Sequence, residues 1–264
     1  MQTEKVISHI VNWLKEYAQK AGVNGYIIGV SGGVDSGVVS TLCAMTGLKI
    51  LVLDMPIRQK ADQQDRALEH IDFLKKKFPN VSSLTIDLTA TFESLETTFK
   101  PNEAEFPNTH LALANTRSRL RMLTLYYYGQ IHGLLVCGTG NKVEDFGIGF
   151  FTKYGDGGVD LSPIGDLYKT EVYQLARALD LPESIKNAIP TDGLWDTERT
   201  DENQIGATYP ELENIQKEYG TKTEKDYTGR QLEVYRIFDR MHKASKHKIE
   251  PIPVCEIPLE WKNQ

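Results

Sequence analysis

The sequence predicts an α/β fold: an open parallel sheet with helices on both faces, Rossmann-like in its connectivity, with an anion-binding loop after the first strand. Three observations carry this. Short runs rich in β-formers recur at Tyr26–Val30, Lys49–Pro56, Ser83–Leu88 and Leu134–Thr139. Helical patterns fill the intervals, the arrangement expected of parallel strands joined by crossovers. The first strand runs directly into Ser31-Gly32-Gly33-Val34-Asp35-Ser36 and a buried helical pattern from Val34 to Met45.

Residues 4–20 place Val6, Ile7, Ile10, Val11, Leu14, Tyr17 and Ala18 at helical spacing, and Gly22 stops the helix, which covers the sheet. In the turn that follows the first strand, Gly32 and Gly33 permit a close approach that a Cβ would forbid. Ser31, Ser36 and the free N–H groups of the next helix face an incoming anion. Asp35 would repel a phosphate unless a cation lay between them, so it reads as a ligand for Mg²⁺. The turn has neither G-x-x-x-x-G-K-[ST] nor G-x-G-x-x-G, which excludes the loop of γ-phosphate transfer and the dinucleotide fingerprint.

Lys49–Pro56 is the second strand, residues 61–78 a polar helix and Ser83–Leu88 the third strand. Their ends open on the same crevice, where Leu53, Asp54 and Met55 can flank an adenine ring and Arg58 can reach a phosphate. Residues 110–132 form the longest helix, with Asn115, Arg117, Arg119 and Arg121 crowded into one section. A salt-bridged surface and a guanidinium cluster that binds carboxylate or phosphate both remain open. The same helix carries Leu125, Tyr126, Tyr127 and Tyr128, more apolar surface than one stripe can bury, which predicts a two-fold dimer.

After Leu134–Thr139 the chain reads GTGNKVEDFGIGFFTKYGDGGVDLSPIGDLYKTEV. Glu144 is placed to meet Asp35 across a metal, because loops after parallel strands converge, although a solvated loop residue is the alternative. Phe150–Gly158 is too apolar for a free loop and too Gly-rich for a helix, so it is expected to fold against a ligand or partner, with Lys153, Asp160 and Lys169 as its chemical handles. A helix is expected over Thr170–Leu179 and a last one over Gln231–Lys243. The polar stretch Thr191–Tyr209 is long for a loop, and Trp195 favours a lid that closes over substrate.

Composition narrows the class. With 264 residues, 30 Lys+Arg and 36 Asp+Glu, the net charge is −6, which gives no reason to expect a nucleic-acid partner. Cys43, Cys137 and Cys255 are widely separated with no C-x-x-C, as in a reduced cytoplasmic protein. No apolar run approaches a membrane span, and residues 1–20 carry charges throughout, unlike a secretory leader.

The Ser31–Ser36 pattern resembles the pyrophosphate loop of the ATP pyrophosphatases, which cut ATP between the α and β phosphates and leave AMP on an acceptor. Taken with Asn115–Met122, Gly138–Lys169 and His247-Lys248, almost the whole chain resembles ammonia-dependent NAD synthetase, GFFTKYGDGGVDLSPI being the specific element. Two departures stand out: the spacing from Glu144 to Phe150 is one residue longer than the family pattern, and Pro210 follows Tyr209 where an acidic residue is expected. The resemblance implies a single domain over 1–264 and a homodimer with the deamido-NAD site near the subunit boundary. It implies Asp35 and Glu144 as magnesium carboxylates, with Asp145 the alternative to Glu144. It implies Gly29, Val30, Ser31, Gly32, Gly33, Val34, Asp35, Ser36, Thr139, Lys169 and Thr191 around ATP, and Arg119, Lys153, Asp160, His247 and Lys248 around deamido-NAD.

The expected reaction is that of an AMP-forming ligase. A nicotinate carboxylate cannot expel oxide, so AMP transfer makes that oxygen a leaving group before ammonia attacks. Asp35, Glu144 and Lys169 are the expected catalytic residues, none of them a covalent nucleophile. GMP synthetase-type chemistry on the same loop and a non-catalytic nucleotide-binding regulator are the rival readings. About 25 residues before the first strand, and a shorter tail after Lys248, leave no room for a glutaminase, so ammonia itself is the expected nitrogen source.

Overall fold

The computed structural model describes residues 1–59, 61–100, 102, 104–190 and 200–262. Helix α1 (Thr3–Ala21) buries Ile7, Ile10, Val11, Leu14 and Ala18 on one stripe. It ends at Gly22, where φ is 66° and the N–H groups of Gly22 and Val23 return to Gln19 and Ala18. Then follow β1 (Gly25–Gly29), α2 (Val34–Ala44), β2 (Lys49–Asp54), α3 (Ala61–Lys77) and β3 (Val81–Thr85). The middle of the chain holds α4 (Thr89–Phe99), α5 (Thr109–His132), β4 (Leu135–Val136) and a π-helical turn over Lys142–Ile148. The last part contains α6 (Lys169–Ala178), α7 (Glu183–Lys186), α8 (Asp201–Ile205), α9 (Tyr209–Glu218) and α10 (Gly229–Ile249).

The four strands lie in the order β3-β2-β1-β4, all parallel, with Tyr26 opposite Ile50 and Leu135, and Ile50 opposite Val81. The twofold alternation of a strand sorts its side chains between two cores. Tyr26, Ile28, Ile50 and Val52 face α1, α2, α3 and α6, whereas Ile27, Leu51 and Leu53 face α4 and α5. Helices therefore cover both faces, as the sequence predicts. The Tyr26 hydroxyl, buried under α1, donates to the Leu14 carbonyl at 2.6 Å and ties that helix to the central strand. A third apolar cluster, Val143, Ile148, Ile205, Tyr209, Leu212, Val234 and Phe238, packs the π-helical turn against α8, α9 and α10.

Several boundaries differ from the sequence reading. β3 starts and ends earlier than Ser83–Leu88, because Leu88 turns away to start α4, whose Phe92 is fully buried. α4 itself was hidden by its threonines, which are weak helix formers overridden here by packing. β4 is only two residues long, and Cys137 continues it as an isolated bridge to Leu161. α10 is longer than Gln231–Lys243, so His247 and Lys248 occupy its last turn rather than a loose tail. Pro210 fits the first turn of α9, where its missing N–H is no loss, behind a capping box of Thr208 and Glu211. Thr191 and Trp195, the ATP contact and lid residue of the sequence reading, lie outside the described residues.

The close approach of β1 to β2 gives a direct test. A Cβ on Gly25 (φ 155°) would stand 1.8 Å from the backbone oxygen of Lys49, whereas one on Gly220 (φ 86°) would meet nothing. Gly25→Ala is expected to cost about 2–3 kcal/mol in urea denaturation, and Gly220→Ala about 1 kcal/mol, which isolates the clash from the strain of positive φ.

Candidate active site

The carboxyl ends of β1, β2 and β4 open on one crevice, a cavity of about 280 Å³ lined by residues 29–36 and by Thr139, Glu144 and Lys169 among others. The loop that closes its floor is held by its own hydroxyls. Ser36 Oγ accepts from the Ser31 N–H at 3.2 Å and donates to the Gly33 carbonyl at 3.1 Å, and Ser31 Oγ accepts from the Gly33 N–H at 3.3 Å. Gly32 has φ 79°, and a Cβ there would come within 2.8 Å of the Gln63 carbonyl on α3. No side chain caps α2, whose first residue follows Gly33, so its leading N–H groups are left for an anion.

Above the loop sits a charged cluster. Lys169, the first residue of α6, is 3% exposed, and its Nζ donates to Asp35 Oδ2 at 2.5 Å and to Glu144 Oε1 at 3.1 Å. Asp35 and Glu144 thus meet through an ammonium. Asn141, fully buried, caps the π-helical turn: its Oδ1 accepts from the Val143 and Glu144 N–H groups at 3.2 Å, and its Nδ2 donates to Asp35 Oδ1 at 3.3 Å. The Tyr209 hydroxyl donates to Glu144 Oε1 at 2.5 Å and lies 3.2 Å from Asp201 Oδ2. Buried between two carboxylates, that phenol is pushed far above its usual range and keeps its proton.

Burial shifts each ionisable member of the cluster, and the neighbours decide the sign. Asp35 is raised, because burial and Glu144 outweigh Lys169. For Glu144 burial also acts upward, but Lys169 and the hydrogen bonds from Tyr209, Lys169 and Asn141 win, and its carboxyl falls below the ordinary range. Lys169 is raised although burial opposes it, since Asp35 and Glu144 surround it, and it remains an ammonium. Asp145, packed over Gly140, is pushed well up by burial and by Glu144, Asp156 and Asp35.

The residues fit a hard divalent cation. Asp35 and Glu144 supply oxygen donors of the kind Mg²⁺ takes, and Asp145 adds a further carboxyl to a crevice with one ammonium between the first two. Among the described residues no group of three or more acidic, His or Cys side chains is arranged to hold a metal by itself.

The residues expected around the second substrate do not line the crevice, and four of them, Arg119, Lys153, His247 and Lys248, gather around the loop over residues 149–153. Arg119 Nε donates to the Lys153 carbonyl at 3.2 Å, Lys153 Nζ donates to the His247 carbonyl, and Lys248 Nζ donates to the Phe151 carbonyl at 2.8 Å and to that of Gly149. Asp160 stands apart, accepting from the Val136 N–H at 2.8 Å and from the Tyr126 hydroxyl at 3.1 Å. The three arginines of α5 divide. Arg117 stacks on Phe92 at 4.7 Å, Arg119 holds the loop, and Arg121 lines the crevice while donating to the Met55 carbonyl and Gln59. Arg58 corrects the sequence reading: it pairs with Glu96 at 2.6 Å and Glu93 at 3.3 Å and is not in the crevice lining. Asp54 and Met55 do line it.

A parallel α/β sheet with a hydroxyl-braced anion loop at its carboxyl edge, and a buried Asp–Lys–Glu cluster above that loop, defines an α/β nucleotide-dependent enzyme. The NAD synthase family model matches residues 6–252, and the chain belongs to that family. It is 39% identical to the ammonia-dependent NAD⁺ synthetase of Carboxydothermus hydrogenoformans, over 97% of this chain and 98% of that one. It is 37% identical to the protein of the same name from Syntrophomonas wolfei over the full length of both. Among solved structures, the NMN synthetase of Francisella tularensis superposes with a TM-score of 0.85 at 29% identity, covering 97% of this chain and all of that one.

The ion cluster has a measurable pH signature. Lys169→Met leaves two buried carboxylates without their cation, and breaking a buried pair costs about 3–5 kcal/mol. Without the ammonium both carboxyls rise, so the folded variant binds protons that the unfolded chain does not. The penalty is therefore expected in full at pH 8 and to shrink towards pH 5, as read by chemical denaturation at both values.

Proposed function

We propose that this chain catalyses the ATP-dependent amidation of deamido-NAD with ammonia, giving NAD, AMP and pyrophosphate. The observation that carries the reading is the placement of Lys169 Nζ between Asp35 and Glu144, at the mouth of the anion loop. The nicotinate carboxylate attacks the α-phosphorus, the bond to the bridging oxygen breaks, and pyrophosphate leaves with that electron pair. Ammonia then attacks the carbonyl carbon of the acyl adenylate, AMP departs with the C–O pair, and the nitrogen loses a proton.

The uncapped start of α2 binds the phosphates, the Ser31 and Gly33 N–H groups being held by the loop's own hydroxyls. Lys169 meets their charge from above. Asp35 and Glu144 would hold Mg²⁺, which would supply positive charge opposite the departing pyrophosphate. Asp54, Met55 and Arg121 flank the base, and Thr139 completes the described part of the ATP site. Arg119, Lys153, Asp160, His247 and Lys248 recognise deamido-NAD. A cytoplasmic location is proposed with this reading.

A second acid substrate follows from the likeness to the Francisella NMN synthetase. Nicotinate mononucleotide presents the same carboxylate without the adenylyl half. AMP release is therefore to be followed with ammonium and each acid in turn. Deamido-NAD is expected to dominate, and a preference for the mononucleotide would reassign the substrate. Turnover with xanthosine monophosphate would point instead to GMP synthetase-type chemistry. Activity should rise with pH as free ammonia increases, and glutamine should not replace ammonium. Asp35→Asn and Glu144→Gln are each expected to lower kcat by on the order of 10²–10³ with the fold retained by circular dichroism.

We also infer a homodimer through α5. Leu123, Tyr127 and Ile131 repeat every four residues on that helix and are 61%, 59% and 58% exposed, a stripe that a second copy would cover. Sedimentation should show a dimer at assay concentrations that Tyr127→Glu dissociates.

A further inference from the structure

Helix α9 contributes nothing to the crevice lining, yet two of its side chains, one turn apart on the same face, act on the charged cluster. Tyr209, 4% exposed, gives its single hydroxyl proton to Glu144 at 2.5 Å, and its ring lies under Lys169, whose Nζ is 4.9 Å from the ring centroid. Glu213, 3% exposed, reaches the start of α6. One of its oxygens accepts from the Thr170 N–H at 3.0 Å and the other from the Thr170 hydroxyl at 2.7 Å. That N–H is one of the unpaired donors at the start of α6, and Thr170 directly follows Lys169.

We infer that Tyr209 and Glu213 are positioning residues that set Lys169 against Glu144 for the reaction proposed above. Tyr209 acts on the carboxylate and on the face of the ammonium; Glu213 acts on the backbone from which the lysine projects. Both stand on a helix whose start is fixed twice, by the Thr208–Glu211 capping box and by Arg230 of α10, whose Nε donates to Glu211 at 2.8 Å. α9 also packs on the π-helical turn that carries Glu144, through Tyr209, Leu212 and Ile215 beside Val143 and Ile148. The lysine and the carboxylate are thereby referred to one rigid element, although they lie on different parts of the chain.

The substitutions separate positioning from packing. Tyr209→Phe keeps the ring and its burial but removes the proton donor, and is expected to lower kcat by about 10–100-fold, the usual scale for groups that orient a site's direct ligands. KM for ATP and for the acid should stay within about threefold, and the melting temperature within a few degrees, because the ring still fills its place. Glu213→Gln can accept from the Thr170 N–H and donate to its hydroxyl, so it should retain kcat within about threefold, while Glu213→Ala should lose about tenfold or more.

A Tyr209→Phe enzyme with wild-type kcat overturns the proposal, as does a Glu213→Gln enzyme as impaired as Glu213→Ala. Losses of kcat, KM and melting temperature in proportion would assign the pair to packing alone and also overturn it. A wild-type enzyme that forms no AMP with either acid would sink the functional reading instead. The positioning claim is then read from a crystal structure of the Tyr209→Phe chain. Glu144 drawn away from Lys169 supports it, and Glu144 unmoved rejects it.

Discussion

One buried ammonium holds the functional half of this molecule together. Lys169 stands between Asp35, at the start of α2, and Glu144, on the π-helical turn, with the lysine buried and the two carboxylates mostly covered at the edge of the crevice. Two carboxylates so placed would repel each other and pay the desolvation cost of each charge, and the lysine alone would be a desolvated cation. Only the three together are tolerable. Under the proposed reaction this ion pair, satisfied within the chain, would exchange partners as phosphates and a cation arrive. The same geometry that keeps the site from collapsing keeps its charges at the place where they are needed.

The rest of the fold supplies that cluster with fixed points. β1 and β4 aim two loops at one edge of the sheet, and the alternation of Tyr26, Ile27 and Ile28 between two cores leaves those strands no freedom to slip in register. The third apolar cluster is a separate support. It joins α8, α9 and α10 to the π-helical turn, so that the side of the crevice bearing Glu144 is braced from outside the sheet. Three of the residues around the expected second substrate belong to this outer part, where Lys153, His247 and Lys248 link the glycine-rich loop to the last turn of α10.

Much of this was legible in the residues. Short β-rich runs and the Gly-Gly turn located the sheet edge and the anion loop, because those features are local and tied to backbone conformation. Asp35 was readable as an anomaly, a carboxylate where an anion must bind. Glu144 was placed opposite Asp35 by the convergence of loops after parallel strands. Lys169 was only a chemical handle of its loop until the family resemblance set it at the ATP site, since nothing in its own neighbourhood announces that it will meet the two carboxylates. Asn141 carried a usable sign, an Asn just ahead of a helical turn, and Tyr209 and Glu213 carried none. Their roles depend on which element packs on which, a matter of tertiary contacts across 43 residues from Thr170 to Glu213. Arg58 was misread for the converse reason: a position near the sheet edge was correct, but Glu93 and Glu96 of α4, a helix the pattern did not reveal, had already claimed its guanidinium.

The π-helical turn has a consequence for what insertions and deletions the site can tolerate. Its wider winding, with the Gly149 N–H returning to the Glu144 carbonyl five residues back, accommodates one residue more per turn than an α-helix does. An extra residue between Glu144 and Phe150 is thus taken up as a local bulge rather than as a change of register. Glu144 stays on Lys169, and the aromatic loop still begins where α10 can hold it. Removing one residue would tighten the turn to α-helical winding and rotate its two ends by about 100° relative to each other. One of those two attachments would then have to be given up.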